Sequence, residues 1–155
     1  MTGVRSAAIL VPLVVALPTI LATIVIHGLV VLAVVHLVLR ERRLGRAGIR
    51  FWRDLLIVSG TALLALLAHL IEIVIWAVVF EFCGEFSQLS AAVYHSAVNY
   101  TSLGYGDVVM SAAWRLLGPI ETANGMLMFG ISTAMIFAVI DRLVHARFKF
   151  EDNQS

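Results

Sequence analysis

A short stretch of mostly small and polar residues with one leucine and one tyrosine, Thr101–Asp107, has the residue types needed to hold a dehydrated cation. It reads Thr-Ser-Leu-Gly-Tyr-Gly-Asp, so that Gly104 and Gly106 alternate with larger side chains. A cation that sheds its water needs replacement oxygens, and backbone carbonyls can supply them. Because glycine tolerates backbone conformations that other residues resist, the two glycines allow successive carbonyls to point to one side. Ser102 adds a hydroxyl at the inner end of this row.

The composition places this stretch in a membrane protein. The chain has 155 residues, of which 61% are hydrophobic and 14% charged, whereas a soluble domain has about 25% charged residues. An ordinary soluble enzyme is therefore excluded, and we expect no catalysis. The net charge of +1 gives no support to a nucleic-acid partner. The single cysteine, Cys83, allows no intrachain disulfide.

Three apolar runs are long enough to cross a bilayer as helices, which takes about 20 residues. They lie within 6–39, 55–80 and 116–140, and only Glu121 interrupts the third. Since proline removes a helix donor, Pro18 predicts that the first spanning helix begins near it. Residues 6–17 would then either lie along the membrane interface or extend a tilted helix. A signal peptide is the alternative interpretation of the first run, although the run continues well beyond a typical signal sequence.

The segment 86–100, between the second and third runs, is helix-compatible but too short to cross, which predicts a re-entrant helix. Basic residues accumulate on the cytoplasmic side of a membrane. Arginines crowd 40–53, and Arg142, Arg147 and Lys149 follow the third run. These patterns predict an external N-terminus, a cytoplasmic C-terminus and an external re-entrant loop. The basic link Arg40–Arg53 either enforces this topology or binds anionic lipid.

The stretch Thr101–Asp107 resembles the selectivity filter of potassium channels, whose usual form is T-T-V-G-Y-G-D. Ser102 replaces the second threonine and Leu103 the valine. The resemblance extends upstream to Tyr94–Val98, in positions where pore helices commonly carry aromatics and then a serine. It extends downstream to Trp114 and Arg115, where the inner helix of the family resumes.

This resemblance implies an all-α homotetramer in the cell membrane, without a cofactor, that conducts K⁺ passively. It implies ion binding along Thr101, Ser102, Leu103, Gly104, Tyr105 and Gly106, with K⁺ at the four residues 102–105, and a pore mouth at Asp107. Tyr94, His95 and Glu72 would support the pore helix, while Gly125 and Gly130 lie where inner helices often carry hinge glycines. The resemblance covers roughly Leu55–Leu143 and leaves the first run outside it. The predicted segments are therefore an extra helix (1–39), a basic cytoplasmic linker (40–53), a pore domain (54–143) with pore helix 86–100, filter 101–107 and inner helix 115–143, and a cytoplasmic tail (144–155).

Glu72 lies within the second run, three residues after His69, so both share one helix face. A carboxylate inside a bilayer is costly unless it is paired or protonated. His69, His95 and Asn99 are the donors that we expect within reach. Glu72 is then either a structural brace for the pore helix or a proton sensor.

The histidines of the first run, His27 and His36, are nine residues apart and therefore lie on opposite helix faces. They are expected to be isolated polar residues, with a metal or haem role as the alternative. Because Ser102 and Leu103 depart from the usual filter, a weakly selective cation channel is the nearest alternative function. A non-conducting membrane subunit that regulates a partner is a second.

Overall fold

The computed structural model describes residues 2–44 and 50–152, with side chains for 9–44 and 50–148. Residues 45–49 of the predicted linker and 153–155 of the predicted tail lie outside the described residues. The described residues form four α-helices and no strand: α1 (Thr2–Arg43), α2 (Phe51–Phe82), α3 (Leu89–Tyr100) and α4 (Leu117–Asp152). The predicted all-helical fold is confirmed.

Three of the helices are long and apolar enough to cross a membrane, over Ile9–Arg43, Phe51–Phe82 and Leu117–Phe148. At about 1.5 Å per residue, each exceeds the hydrocarbon thickness of about 30 Å. The fourth helix, α3, has 12 residues and a length of roughly 18 Å, so it cannot cross.

The helix bounds differ from the predicted ones at several ends. The first helix runs from Thr2 through Pro12 and Pro18 rather than beginning near Pro18, because a membrane helix tolerates the loss of single backbone donors. The start of α3 is Leu89 instead of residue 86, since Gln88 is extended (φ −134°) and acts as the N-cap. The last helix begins at Leu117 and continues to Asp152, beyond residue 143.

The described residues of Met1–Ile26 and His69–Phe129 form one compact unit. Its core joins α2 to α3 through aromatic side chains. Trp76 and Phe80 are fully buried, with ring centroids 5.9 Å apart. Phe80 also contacts the ring of His95 at 5.6 Å and that of Phe86 at 6.5 Å. The short helix is thereby packed against the C-terminal part of α2.

The described residues of His27–Ala68 and Gly130–Ser155 form a second compact unit. Three helices contribute to its apolar core, which contains Val34 and Val38 of α1, Ile57 and Ala65 of α2, and Met135, Val139 and Leu143 of α4. His27 is buried and lies 2.9 Å from the Ser132 hydroxyl. His36 is exposed and donates to the Leu32 carbonyl. The two histidines therefore occupy different environments, as their spacing predicts.

Candidate functional site

The loop that follows α3 begins on the last carbonyls of that helix. Thr101 and Ser102 donate backbone hydrogen bonds to Ala97 and Asn99, and the Val98 carbonyl accepts from both Leu103 (2.9 Å) and Gly104 (3.2 Å). The carbonyl end of a helix carries a partial negative charge. The start of the loop is thus fixed at the negative end of α3.

The backbone angle φ of this loop alternates between negative and positive values, that is, between right-handed and left-handed conformations. Ser102, Gly104 and Gly106 have positive φ values of 62°, 62° and 72°, while Thr101 is right-handed, with φ −81°. A left-handed conformation at every second residue turns successive carbonyls toward one side of the chain. It costs a glycine little, whereas a residue with a Cβ is strained there. Serine at position 102 carries less strain than a β-branched threonine would.

Two side chains of α3 hold the middle of the loop. The Tyr94 hydroxyl donates a 2.7 Å hydrogen bond to the Asp107 carboxylate. His95 Nδ1 lies 3.0 Å from the Val108 carbonyl oxygen, and its Nε2 lies 2.9 Å from the Asn99 amide nitrogen. Because a carbonyl can only accept, Nδ1 carries the proton and Nε2 accepts from Asn99. This arrangement requires a neutral His95.

Burial lowers the pKa of His95 from its ordinary value, which agrees with this tautomer. The bond to the Val108 carbonyl and the negative charges of Asp107 and Glu85 oppose that lowering. The hydrogen bond from Tyr94 to Asp107 raises the pKa of Tyr94, since ionised Tyr94 could no longer donate it. His95 and Asn99 line a cavity of about 460 Å³ together with Gly104, Gly106 and Arg115.

The far end of the loop is tied to the segment that precedes α3. Both carboxylate oxygens of Glu85 accept from Ser111, one from its backbone N–H and one from its hydroxyl, each at 2.6 Å. The loop is therefore anchored at its start, middle and end. The side chains of 101–107 between these anchors are all exposed in the single chain.

The buried carboxylate of Glu72, in α2, contacts Tyr100, the last residue of α3. The Tyr100 hydroxyl donates to the Glu72 carboxylate, and His69 Nδ1 lies 3.0 Å from the same hydroxyl. Both Tyr100 and Glu72 are fully buried. The structure thus joins Glu72 to Tyr100, which was not among the expected donors. Of the expected donors, His69 lies 3.5 Å away, whereas His95 and Asn99 bind each other.

A second buried carboxyl, Glu121 of α4, contacts α3 at Ser96, one turn before Tyr100. Its Oε1 bonds to the Ser96 hydroxyl, which also donates to the Ile73 carbonyl of α2 at 2.8 Å. A serine hydroxyl carries one proton, so the second bond needs a proton from the carboxyl. Sequence reasoning treated Glu121 only as an interruption. Its position inside an apolar run was the signal that could have identified it.

The inner helix approaches the end of α3 very closely at Gly125. A Cβ on Gly125 would lie 2.2 Å from the Tyr100 carbonyl oxygen. Nearby, the Thr122 hydroxyl donates to the Asn99 carbonyl at 2.9 Å. Around Gly130, by contrast, no described atom lies within 4 Å of the equivalent position. Gly125 therefore has a packing role besides the predicted hinge role.

Comparison with known proteins identifies a protein family that is similar to the part of the chain containing this site. Residues 68–142 match the model of a family described as ion channel. The matched segment contains the C-terminal part of α2, all of α3, the anchored loop and most of α4. This segment belongs to that family of ion channels, and α1 precedes it. No curated protein and no solved structure matches the chain.

Proposed function

We propose that four copies of the chain assemble in a membrane into a potassium-selective channel. The observation that carries this proposal is the alternation of backbone hand at Ser102, Gly104 and Gly106. With this alternation each chain would present one row of carbonyl oxygens, and a potassium ion without water needs several such rows around it. The ions would bind along 101–106, at the carbonyls and at the Ser102 hydroxyl.

The exposed loop supports assembly around a shared axis. Leu103 and Tyr105 are 55% and 66% exposed in the single chain, although the backbone of the loop is hydrogen-bonded at its start and its neighbours hold it in place. A fixed but uncovered apolar loop suits a surface that other copies cover. Rotation-symmetric assembly would bring four such loops together.

The orientation that we propose has the loop outside and Arg40–Arg53 inside, since the basic residues favour the cytoplasmic side. Asp107 would then form an acidic ring at the external mouth and raise the local cation concentration. The Tyr94 hydroxyl bond fixes where that carboxylate lies.

The experiment is a flux assay on the purified chain in liposomes with outward potassium or sodium gradients. Wild type should pass potassium and exclude sodium, and Gly104→Ala should abolish the flux, because a Cβ at φ 62° is strained. Gly60→Ala is the matched control, since Gly60 is helical and a Cβ there meets no described atom within 4 Å.

Each other outcome favours a different function. Equal potassium and sodium flux would indicate a weakly selective cation channel. Intact tetramers without flux would indicate a non-conducting subunit. Unchanged selective flux in Gly104→Ala would contradict the assignment of the ion path to this loop.

A further inference from the structure

A cavity of about 280 Å³ lies between α1 and α4 in the second unit. Its lining is apolar except for Arg142, the last lining residue along α4. The apolar lining residues are Val31, Val34, Val35 and Val38 of α1 and Ile131, Ala134, Met135, Ala138 and Val139 of α4. The lining spans 131–142 on α4, which corresponds to roughly 16 Å along the helix axis.

Arg142 is half-buried and makes no hydrogen bond or ion pair with any residue of 9–44 and 50–148, the ranges with described side chains. Its guanidinium presents five donors in a planar fork that fits phosphate or carboxylate oxygens. Asp141 precedes Arg142 in the sequence and Glu41 lies in the last turn of α1, and neither makes a hydrogen bond or ion pair with Arg142. A cation held beside apolar surface without a bonded acidic partner is costly, and an anion that binds there would offset that cost.

The end of the cavity at Arg142 is also the basic end of α1. His27 contacts Ser132 near one end of the cavity, and Val38 packs in one cluster with Val139 and Leu143 near the other. The two helices therefore run in the same direction here. The last turn of α1 contains Arg40, Arg42 and Arg43, so these arginines follow Val38 at the end where Arg142 lies.

We propose that this cavity binds one acyl chain of an anionic phospholipid whose phosphate pairs with Arg142. The apolar wall excludes water, and the cavity within a membrane-spanning segment faces hydrocarbon chains. Charge complementarity selects an anionic headgroup, since juxtamembrane arginines attract anionic lipids. The site lies outside the ion path of 101–106, and lipid binding there does not require conduction.

The test is native mass spectrometry of the purified chain after exchange into an equimolar mixture of dioleoyl phosphatidylglycerol and dioleoyl phosphatidylcholine. Wild type should retain phosphatidylglycerol in preference to phosphatidylcholine. Arg142→Gln should lower that preference about tenfold, because it removes one charge-assisted contact. Arg147→Gln is the matched control on the same helix, since Arg147 does not line this cavity.

A second pair of variants tests the apolar part. Ala138→Trp places a large side chain in the cavity and should lower the retention of both lipids. Phe137→Trp is its control, because Phe137 is 70% exposed and lies outside the lining. Retention in Ala138→Trp equal to that of wild type would overturn the proposal.

Three further results would overturn it. Equal losses of the preference for phosphatidylglycerol in Arg142→Gln and Arg147→Gln would show that general surface charge causes this preference. Retention of added oleate with no retention of phosphatidylglycerol would make the ligand a free fatty acid. Loss of the oligomer in Ala138→Trp, with no lipid retained by wild type, would show that a second copy fills the cavity.

Discussion

The Tyr100 hydroxyl donates a hydrogen bond to the Glu72 carboxylate, which joins the last residue of α3 to the middle of α2. Both side chains are fully buried. Since Tyr100 directly precedes Thr101, this bond fixes the backbone from which the loop of Thr101–Asp107 departs. Glu72 therefore acts on the loop through Tyr100.

Replacing Glu72 should separate a structural role from proton sensing. Glu72→Gln keeps an acceptor for Tyr100 and should conduct, whereas Glu72→Ala removes the carboxylate acceptor of the buried hydroxyl and leaves it His69 alone, at a cost of about 1–3 kcal/mol. We expect Glu72→Ala to lower the thermal midpoint of the assembly and its potassium selectivity. Tyr100→Phe, with Glu72→Ala and the double variant, measures the coupling energy. Flattening of the dependence of current on pH in Glu72→Gln, with unchanged stability, would instead favour proton sensing.

Gly125 and Gly130 should respond differently to alanine. Gly125→Ala places a Cβ 2.2 Å from the Tyr100 carbonyl oxygen, and such overpacking costs typically 1–3 kcal/mol. Gly130→Ala meets no described atom within 4 Å and should stabilise the helix by up to about 1 kcal/mol. Thermal unfolding in detergent gives both values. If both variants keep wild-type stability and change only the open probability, the hinge interpretation is correct for both glycines.

Glu121 should tolerate glutamine better than alanine. The amide of Glu121→Gln can donate to the Ser96 oxygen, as a protonated carboxyl does, so stability should remain close to that of wild type. Glu121→Ala and Ser96→Ala each remove one partner of a buried bond and should cost about 1–3 kcal/mol. Circular dichroism melts would measure these losses. A Glu121→Gln variant as unstable as Glu121→Ala would mean that the carboxyl is ionised.

His95 should make stability fall in mild acid. Its pKa is lowered in the folded state by burial, so below about pH 6.5 the unfolded state binds more protons than the folded state. Stability is then full above that pH and decreases as the pH falls toward the folded pKa. Protonation also removes the acceptor that Asn99 uses. Melting curves between pH 7.5 and 5 check this, with the exposed His36→Gln as control. A pH-independent difference between wild type and His95→Gln would contradict it.

The sequence predicts the helices well because their signal is long and simple. The apolar runs and the arginines around residue 40 define the spanning segments, and Gly104 and Gly106 mark the loop where φ is positive. What the sequence could not predict depends on which side chains meet in space. Tyr100 as the partner of Glu72 and Ser96 as the partner of Glu121 join residues 28 and 25 apart, and no local period encodes such pairs.

The packing role of Gly125 is a second feature that the sequence alone could not predict. A glycine in an inner helix suggests flexibility, yet the backbone of Tyr100 lies where a Cβ would be. Only the packing of α4 against α3 reveals this. A glycine required for close packing and a glycine required for a hinge look the same in the sequence.

The reversal potential of single channels, recorded from purified protein in planar bilayers, tests the central claim most directly. With potassium at a tenfold gradient and sodium at the opposite gradient, a potassium-selective pore should reverse near the potassium equilibrium potential, about 59 mV from zero. A reversal near zero would show that the pore does not discriminate potassium from sodium. A reversal on the sodium side, or no current from intact tetramers, would contradict the assignment of a potassium path to Thr101–Gly106.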